Sequence, residues 1–389
     1  MDALMLPSNW QRVRLGDIAE IIGGGTPSTQ VTSFWNGSIN WFTPTEIGIT
    51  KYVYKSQRTI TPLGLKKSSA KLLPIGTILL TSRASIGDCA ILKVVATTNQ
   101  GFQSLIPLEK INNEFLYYLI LTLKNKLLKL ASGSTFLEVS PNKIKNLLIP
   151  LPPLNEQIAI ANILSDVDHY LYSLDALILK KESVKKALSF ELLSQRKRLK
   201  GFNQNWQRVR LGDIANYLTS NLSAEQITQQ GKIKVYDVNN FIGYTNTTFI
   251  SDKPYISIVK DGSVGRVRIL PPKTNILSTM GALIANHKTT TEFLFYLLSN
   301  FDFKNFTSGS IIPHIYFKDY KEKTIFLPPL NEQIAIANIL SALDHEIISL
   351  KNKKRQFENI KKALNHDLMS AKIRVLKNKR PKSQGQTRL

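Results

Sequence analysis

Cysteine is almost absent: Cys89 is the only one in 389 residues. That excludes a disulfide framework and a cysteine-rich zinc site. Histidine is nearly as scarce, with five scattered copies, too few for a histidine-built metal centre. Long apolar runs are missing too. The longest, Phe115 to Leu123, falls far short of the roughly 20 residues a membrane span needs. Met1 to Trp10 has no basic segment followed by an apolar one, so neither a signal peptide nor a membrane partner is expected, and the expected location is cytoplasmic. No G-x-x-x-x-G-K-[ST], C-x-x-C or H-E-x-x-H occurs. Gly23-Gly24-Gly25-Thr26-Pro27 lacks the G-x-G-x-x-G spacing, and its proline argues for a turn. Pro152-Pro153 lacks the acidic or amide residue and the following aromatic of an amino-methyltransferase motif.

Acid is the other shortage. Only 28 Asp and Glu stand against 51 Lys and Arg, for a formal net charge of +23 and a pI of about 9.9. A balance this basic points to a polyanionic partner, with nucleic acid first. A solubility device or an acidic protein partner is the plainer reading. What is abundant is core material: 43% of residues are hydrophobic, enough for two or three packed domains at this length.

The chain repeats itself once. Asn9-Trp-Gln-Arg-Val-Arg-Leu-Gly-Asp-Ile-Ala19 recurs residue for residue at Asn205 to Ala215, an offset of 196. Leu151-Pro-Pro-Leu-Asn-Glu-Gln-Ile-Ala-Ile-Ala-Asn-Ile-Leu-Ser165 recurs at Leu327 to Ser341, an offset of 176. Asp168-His169 and Lys185-Lys186-Ala187-Leu188 return at the same 176. Between the blocks lie variable segments, roughly 20–150 and 216–326, which share only a skeleton such as Ser85-Ile86-Gly87 against Ser263-Val264-Gly265. Near-identical connectors therefore frame two dissimilar versions of one domain.

After each Pro-Pro, apolar residues recur at steps of three and four: Ile163, Val167, Tyr170, Leu174, Leu177, Val184, Leu188, Leu192, and then Leu340, Leu343, Ile347, Leu350, Phe357, Ile360, Leu364, Leu368. Asn155 suits an N-cap, and Glu156 places negative charge in the first turn. Lys181 and Lys354 interrupt the two seams at equivalent steps. No Gly or Pro breaks 155–200 or 331–379. Helices of about 40 residues, about 60 Å long, must bury a stripe, and connectivity makes an antiparallel pair with a pseudo-two-fold axis the simplest arrangement. The plainer reading lays two separate amphipathic helices on the globular domains. Basic, acid-free stretches at Gln195 to Arg210 and Ala371 to Leu389 could contact phosphates or simply be solvated ends.

The variable segments read as mixed strand and helix. Thr77 to Thr81 and Pro254 to Val259 look like buried strands, and Phe115 to Leu130 and Thr291 to Phe303 like core helices. Each strand runs into a polar Gly/Ser turn, where binding residues tend to sit. Arg83, Ser85, Gln100 and Gln103 are the base-reading candidates of the first domain, and Lys260, Ser263, Arg266 and Arg268 those of the second. For any single amide, stabilising a turn is the competing role. No catalytic or metal-ligating set emerges. The predicted class is α+β: two mixed α/β variable domains (1–150 and 201–326), two long antiparallel coiled-coil helices (151–200 and 327–375) and a basic tail (376–389).

These blocks, with Gly24-Gly25-Thr26-Pro27-Ser28, Trp35-Asn36-Gly37, Ile39-Asn40-Trp41 and Lys260-Asp261-Gly262-Ser263-Val264-Gly265, resemble the specificity subunit of Type I restriction-modification systems over about residues 9–375. The resemblance implies that each variable domain reads half of an asymmetric bipartite site in double-stranded DNA, and that the coiled coil sets the gap between half-sites. It also implies docking of two methyltransferase subunits on the repeated blocks, assigned here to Leu154, Asn155, Glu156, Gln157 and Leu330, Asn331, Glu332, Gln333. Restriction subunits complete the complex, whose S-adenosylmethionine, ATP and Mg²⁺ belong to other chains. The rivals are a non-enzymatic coiled-coil scaffold and the specificity part of a fused single-chain restriction-modification enzyme. The second would need a catalytic carboxylate–lysine cluster or cofactor loop, and the sequence shows neither.

Overall fold

The computed structural model describes residues 6–133, 137–309 and 311–375. The tail expected at 376–389 lies outside the described residues. Among those described, 6–173 with 354–375 form one compact unit and 174–353 the other.

The two kinds of repeated block meet each other. Strand Gln11–Arg14 pairs antiparallel with Leu148–Leu151, Gln11 opposite Leu151. In the second unit Gln207–Arg210 pairs with Thr324–Leu327 in the same register. Each ribbon closes one variable domain by joining its entry to its exit. A one-residue slip would turn every side chain to the opposite face, so both strands are constrained together.

Inside the first unit a five-stranded sheet runs in the order Ala19–Gly23, Gln103–Pro107, Ile78–Leu80, Cys89–Leu92, Tyr52–Val53. A smaller sheet places Trp35–Phe42 between Arg58–Ile60 and Ala96–Thr98. The second unit has the shorter version: Ala215–Thr219, Met280–Ala285, Tyr255–Val259, Val267–Leu270, and a three-stranded sheet centred on Ile233–Tyr236. In both, the small sheet combines one antiparallel and one parallel pairing. Ile78, Leu79 and Leu80 are fully buried, as their unbroken apolar run predicts.

Helix α1 (Asn113–Leu130) covers the large sheet of the first unit. Its N-cap Asn112 accepts from the Phe115 N–H, and Phe115, Leu116, Leu119 and Ile120 are buried in the core. Its counterpart, Thr291–Ser299, is capped by Thr290 in the same way. That helix stops four residues short of the predicted Phe303. Phe301 and Phe303 instead leave the helix and pack on Tyr320, with ring centroids 6.4 and 5.4 Å away.

Two 40-residue helices complete the fold: α2 (Leu154–Leu193) and, with Thr291–Ser299 as α3, α4 (Leu330–Met369). In the first unit Asp168 pairs with Lys361, and Tyr170 packs on Phe357 with centroids 4.6 Å apart. In the second, Glu182 meets Lys351 at 2.6 Å and Lys185 meets Asp344 at 2.5 Å. In each unit the number rises along one helix as it falls along the other, so the pairing is antiparallel.

The expected seam is corrected in detail. Leu177, Val184 and Ile360 are 37, 39 and 52% exposed. Beyond its first two turns, the buried positions of α2 are Leu164, Leu174, Ile178, Ser189 and Leu192. Between them Lys181 and Lys185 occupy the contact row through ion pairs with Glu346 and Asp344. An apolar-only count misses lysines whose stems pack while their ammonium groups find carboxylates. The start is also two residues earlier than a cap at Asn155 implies. The Pro153 carbonyl accepts from the Gln157 N–H at 3.0 Å, which puts Asn155 inside the first turn, its Oδ1 on the Glu156 N–H at 2.9 Å.

Candidate nucleic-acid interface

The polar turns at the strand ends are one structure built twice. After Ile78–Leu80, the Thr81 N–H donates to the Asp88 carbonyl and the Gly87 N–H to that of Thr81. After Tyr255–Val259, the Val259 N–H donates to the Arg266 carbonyl and the Gly265 N–H to that of Val259. Ala84 and Gly262 occupy equivalent places with φ of 55° and 83°. The neighbouring position is where the copies part. Arg83 pairs with Glu138 at 2.9 Å. Its equivalent is Asp261, which meets His314 Nδ1 at 2.7 Å. The frame is retained and the charge at this one position is reversed.

The candidate readers fare unequally. Arg83 is half-exposed but tied to Glu138. The Ser85 Oγ is buried with no hydrogen-bond partner among the described residues, and so is the Gln103 Oε1. Gln103 is only 6% exposed, so it cannot reach a base edge without rearrangement, and its place in the first set is corrected. Gln100 is exposed and accepts from the Thr26 hydroxyl. In the second unit Ser263 and Arg266 are exposed and Lys260 and Arg268 partly so. Arg266 donates to Asn239 Oδ1 at 2.9 Å and Arg268 to the Asn239 carbonyl at 3.0 Å, while Arg268 lies over the Tyr236 ring at 5.2 Å. Neither pairs with a carboxylate among the described residues, so both keep their charge. Asn239, at the turn after Ile233–Tyr236, brings them together, and the sequence pattern gives no sign of it.

The docking candidates divide as well. Leu154 and Leu330 are 46 and 45% exposed, and Asn155 and Asn331 are exposed. Glu156, Gln157, Glu332 and Gln333 are at most 1% exposed, which corrects their assignment to a docking surface: they are occupied inside the chain. Glu156 accepts from the Trp10 indole at 3.1 Å and from Arg374 at 2.8 and 3.2 Å. Glu332 accepts from the Trp206 indole at 3.0 Å and from Arg198 at 3.2 and 2.7 Å. Gln157 bridges the Pro152 and Lys110 carbonyls and the Asn112 N–H, and Gln333 does the same with Pro328, Lys288 and Thr290. Arg198 and Arg374, one from each basic stretch, are therefore anchors of buried carboxylates. Arg198 and Arg374 share the 176 offset, the one sign of this in the sequence.

A second repeated cluster fastens each recognition domain to the helices. The Tyr118 hydroxyl donates to Asp168 at 2.5 Å, and Asp168 pairs with Lys361. The Tyr296 hydroxyl donates to Asp344 at 2.8 Å, and Asp344 pairs with Lys185. Burial, and then the hydrogen bond to the aspartate, push both phenols well above their ordinary 10.0. The repeated Asp-His and Lys-Lys pairs of the sequence thus owe their repetition to Asp and Lys. Among the described residues no group of three or more His, Cys, Asp or Glu is placed to hold a metal ion, and no helix is long and apolar enough to cross a membrane.

Comparison with known proteins follows the same two-fold pattern. The family model described as Type I restriction modification DNA specificity domain matches twice, over residues 7–181 and 203–359. The chain is 30% identical over 367 residues to the Type I restriction enzyme MjaIX specificity subunit of Methanocaldococcus jannaschii, covering 83% of this chain and 84% of that one. It is 31% identical to the MjaX subunit of the same organism, described as putative, across 95% of both. Among solved structures, the Type I S subunit from M. genitalium superposes with a TM-score of 0.59 at 21% identity, covering 94% of this chain and 98% of that one. The HsdS subunit from Thermoanaerobacter tengcongensis gives 0.54 at 18%, covering 95 and 99%. These two likenesses establish the shared fold.

Proposed function

The chain belongs to the family of Type I restriction-modification specificity subunits, and on that premise we propose how it works as the DNA-reading, non-catalytic member of such a complex. Each recognition domain reads one half of an asymmetric bipartite site in double-stranded DNA. Phosphate contacts supply most of the affinity and base-edge contacts the preference. The paired helices hold the two readers at a set spacing, which fixes the gap between half-sites. Two methyltransferase subunits dock on the exposed parts of the repeated blocks, Leu154, Asn155 and Ile158 in one copy and Leu330, Asn331 and Ile334 in the other, all solvent-facing in the chain. Restriction subunits join that core. S-adenosylmethionine, ATP and Mg²⁺ are bound by those partners, in the cytoplasm.

The observation that carries this reading is the duplicated turn in which one equivalent position reverses its charge between copies: Arg83 with Glu138 against Asp261 with His314. One scaffold offers two different surfaces, as two different half-sites require. A salt titration of duplex binding by the full chain with its methyltransferase partner tests it. Affinity falls steeply with salt while sequence preference survives. Salt-independent binding, or methyl transfer by the purified chain alone, contradicts it.

A further inference from the structure

The first recognition domain contains a cationic site that the sequence pattern does not mark. The Arg58 guanidinium lies 3.7 Å from the Trp35 ring centroid and 5.5 Å from that of Trp41. The two indoles pack edge to face, 5.0 Å apart at 88°, and are 8 and 4% exposed. Arg58 itself is exposed, and among the described residues no carboxylate pairs with it. Its planar donor fork is therefore fixed on an aromatic floor with its charge uncompensated, a geometry that suits bidentate recognition of an anion.

The floor is tied to the reading loops. The Trp41 indole N–H donates to the Gly25 carbonyl at 2.8 Å and that of Trp35 to the Ser28 carbonyl at 3.0 Å. Gly24 packs so closely that a methyl group there would come within 1.9 Å of the Asn99 carbonyl oxygen. Thr26 on that same loop holds Gln100. Arg58 and Gln100 are thus linked by one continuous set of contacts. The surroundings are one-sided: from Gly24 to Leu73 six Lys or Arg stand against a single acid, Glu46. The Glu46 carboxylate is occupied by the Thr43 and Gln57 N–H groups, and Lys51 is paired with Glu114. Lys55, Lys66, Lys67 and Lys71 of the same stretch are exposed.

We infer that Arg58, seated on Trp35 and Trp41, is a phosphate-binding residue that holds the DNA backbone beside the first domain's reading loops. Arg83 is less suited to this part, because its guanidinium already pairs with Glu138. The inference rests on the DNA-reading function proposed above, and its test uses a random-sequence duplex, since a backbone contact is indifferent to sequence. Binding of the full chain, R58Q and R58K is measured as a function of salt. R58Q should bind about 5- to 20-fold more weakly, with the slope of log affinity against log salt reduced by about one, and by the same factor on every duplex tested. R58K should keep the slope. An R58Q chain with unchanged affinity and slope, beside a wild type that binds with a steep salt dependence, overturns the Arg58 assignment alone. Equal losses in R58Q and R58K would make Arg58 a packing residue for the indoles and overturn it too. A wild type that binds without salt dependence would overturn the DNA-reading function and this inference with it.

Discussion

Glu156 is nearly inaccessible, yet its carboxylate takes hydrogen bonds from an indole and a guanidinium contributed by residues 146 and 218 positions away. Removing it leaves the Trp10 N–H without its acceptor and the Arg374 charge without a carboxylate, with only the neutral Asn9 Oδ1 still accepting from it. Glu156→Ala should cost about 3 kcal/mol, the range for breaking one side of a buried pair, read as a fall in the urea midpoint. Glu332→Ala should match it, because the second copy has the same donors; a loss below about 0.5 kcal/mol in either, the scale of an ordinary surface substitution, would remove the clamp from the account. Legibility at this scale is uneven. Repetition marks Glu156 and Gln157, but repetition alone does not separate a residue kept for packing from one kept for docking. Burial does, and it assigns both to the interior. Gln103 looks like a base reader from its amide and its loop, whereas its strand turns it inward. Arg58 looks ordinary, because a cation gains its meaning here from two tryptophans 17 and 23 positions earlier.

At the scale of elements, the long helices are the most legible part, since a 3.5-residue period without Gly or Pro leaves few alternatives. The row in contact is harder to foresee: Lys181 stands at a step the spacing marks, whereas Lys185 joins the row through Asp344 without an apolar signal. The Tyr118–Asp168 and Tyr296–Asp344 bonds fix how each core helix sits on its coiled-coil segment. Tyr118→Phe should cost about 1 kcal/mol, the usual net worth of such a bond, measured by urea unfolding. The same phenols predict the alkaline behaviour. Unfolded tyrosine loses its proton near pH 10, whereas burial holds those of Tyr117, Tyr118, Tyr296 and Tyr320 well above it. Their contribution is full below pH 10 and is lost as pH rises beyond it, because the unfolded state then binds fewer protons. The urea midpoint should hold level up to about pH 9 and fall beyond about pH 10; a midpoint still level at about pH 11 would show these phenols exposed in solution.

For the whole molecule, duplication explains why entry and exit blocks are kept alike while the segments between them diverge. The ribbons, the Glu clamps and the Tyr–Asp–Lys clusters all join repeated residues to one another, or to the few positions shared by both domains. The turns facing away from these joints are free to differ, and the reversal of charge between Arg83 and Asp261 shows that they do. Replacing residues 216–326 with the matching segment of another family member, in cells carrying the methyltransferase partner, and sequencing the methylated sites tests this most directly. The account predicts one half-site changed, with the other half-site and the gap retained. Simultaneous change in both half-sites would contradict it.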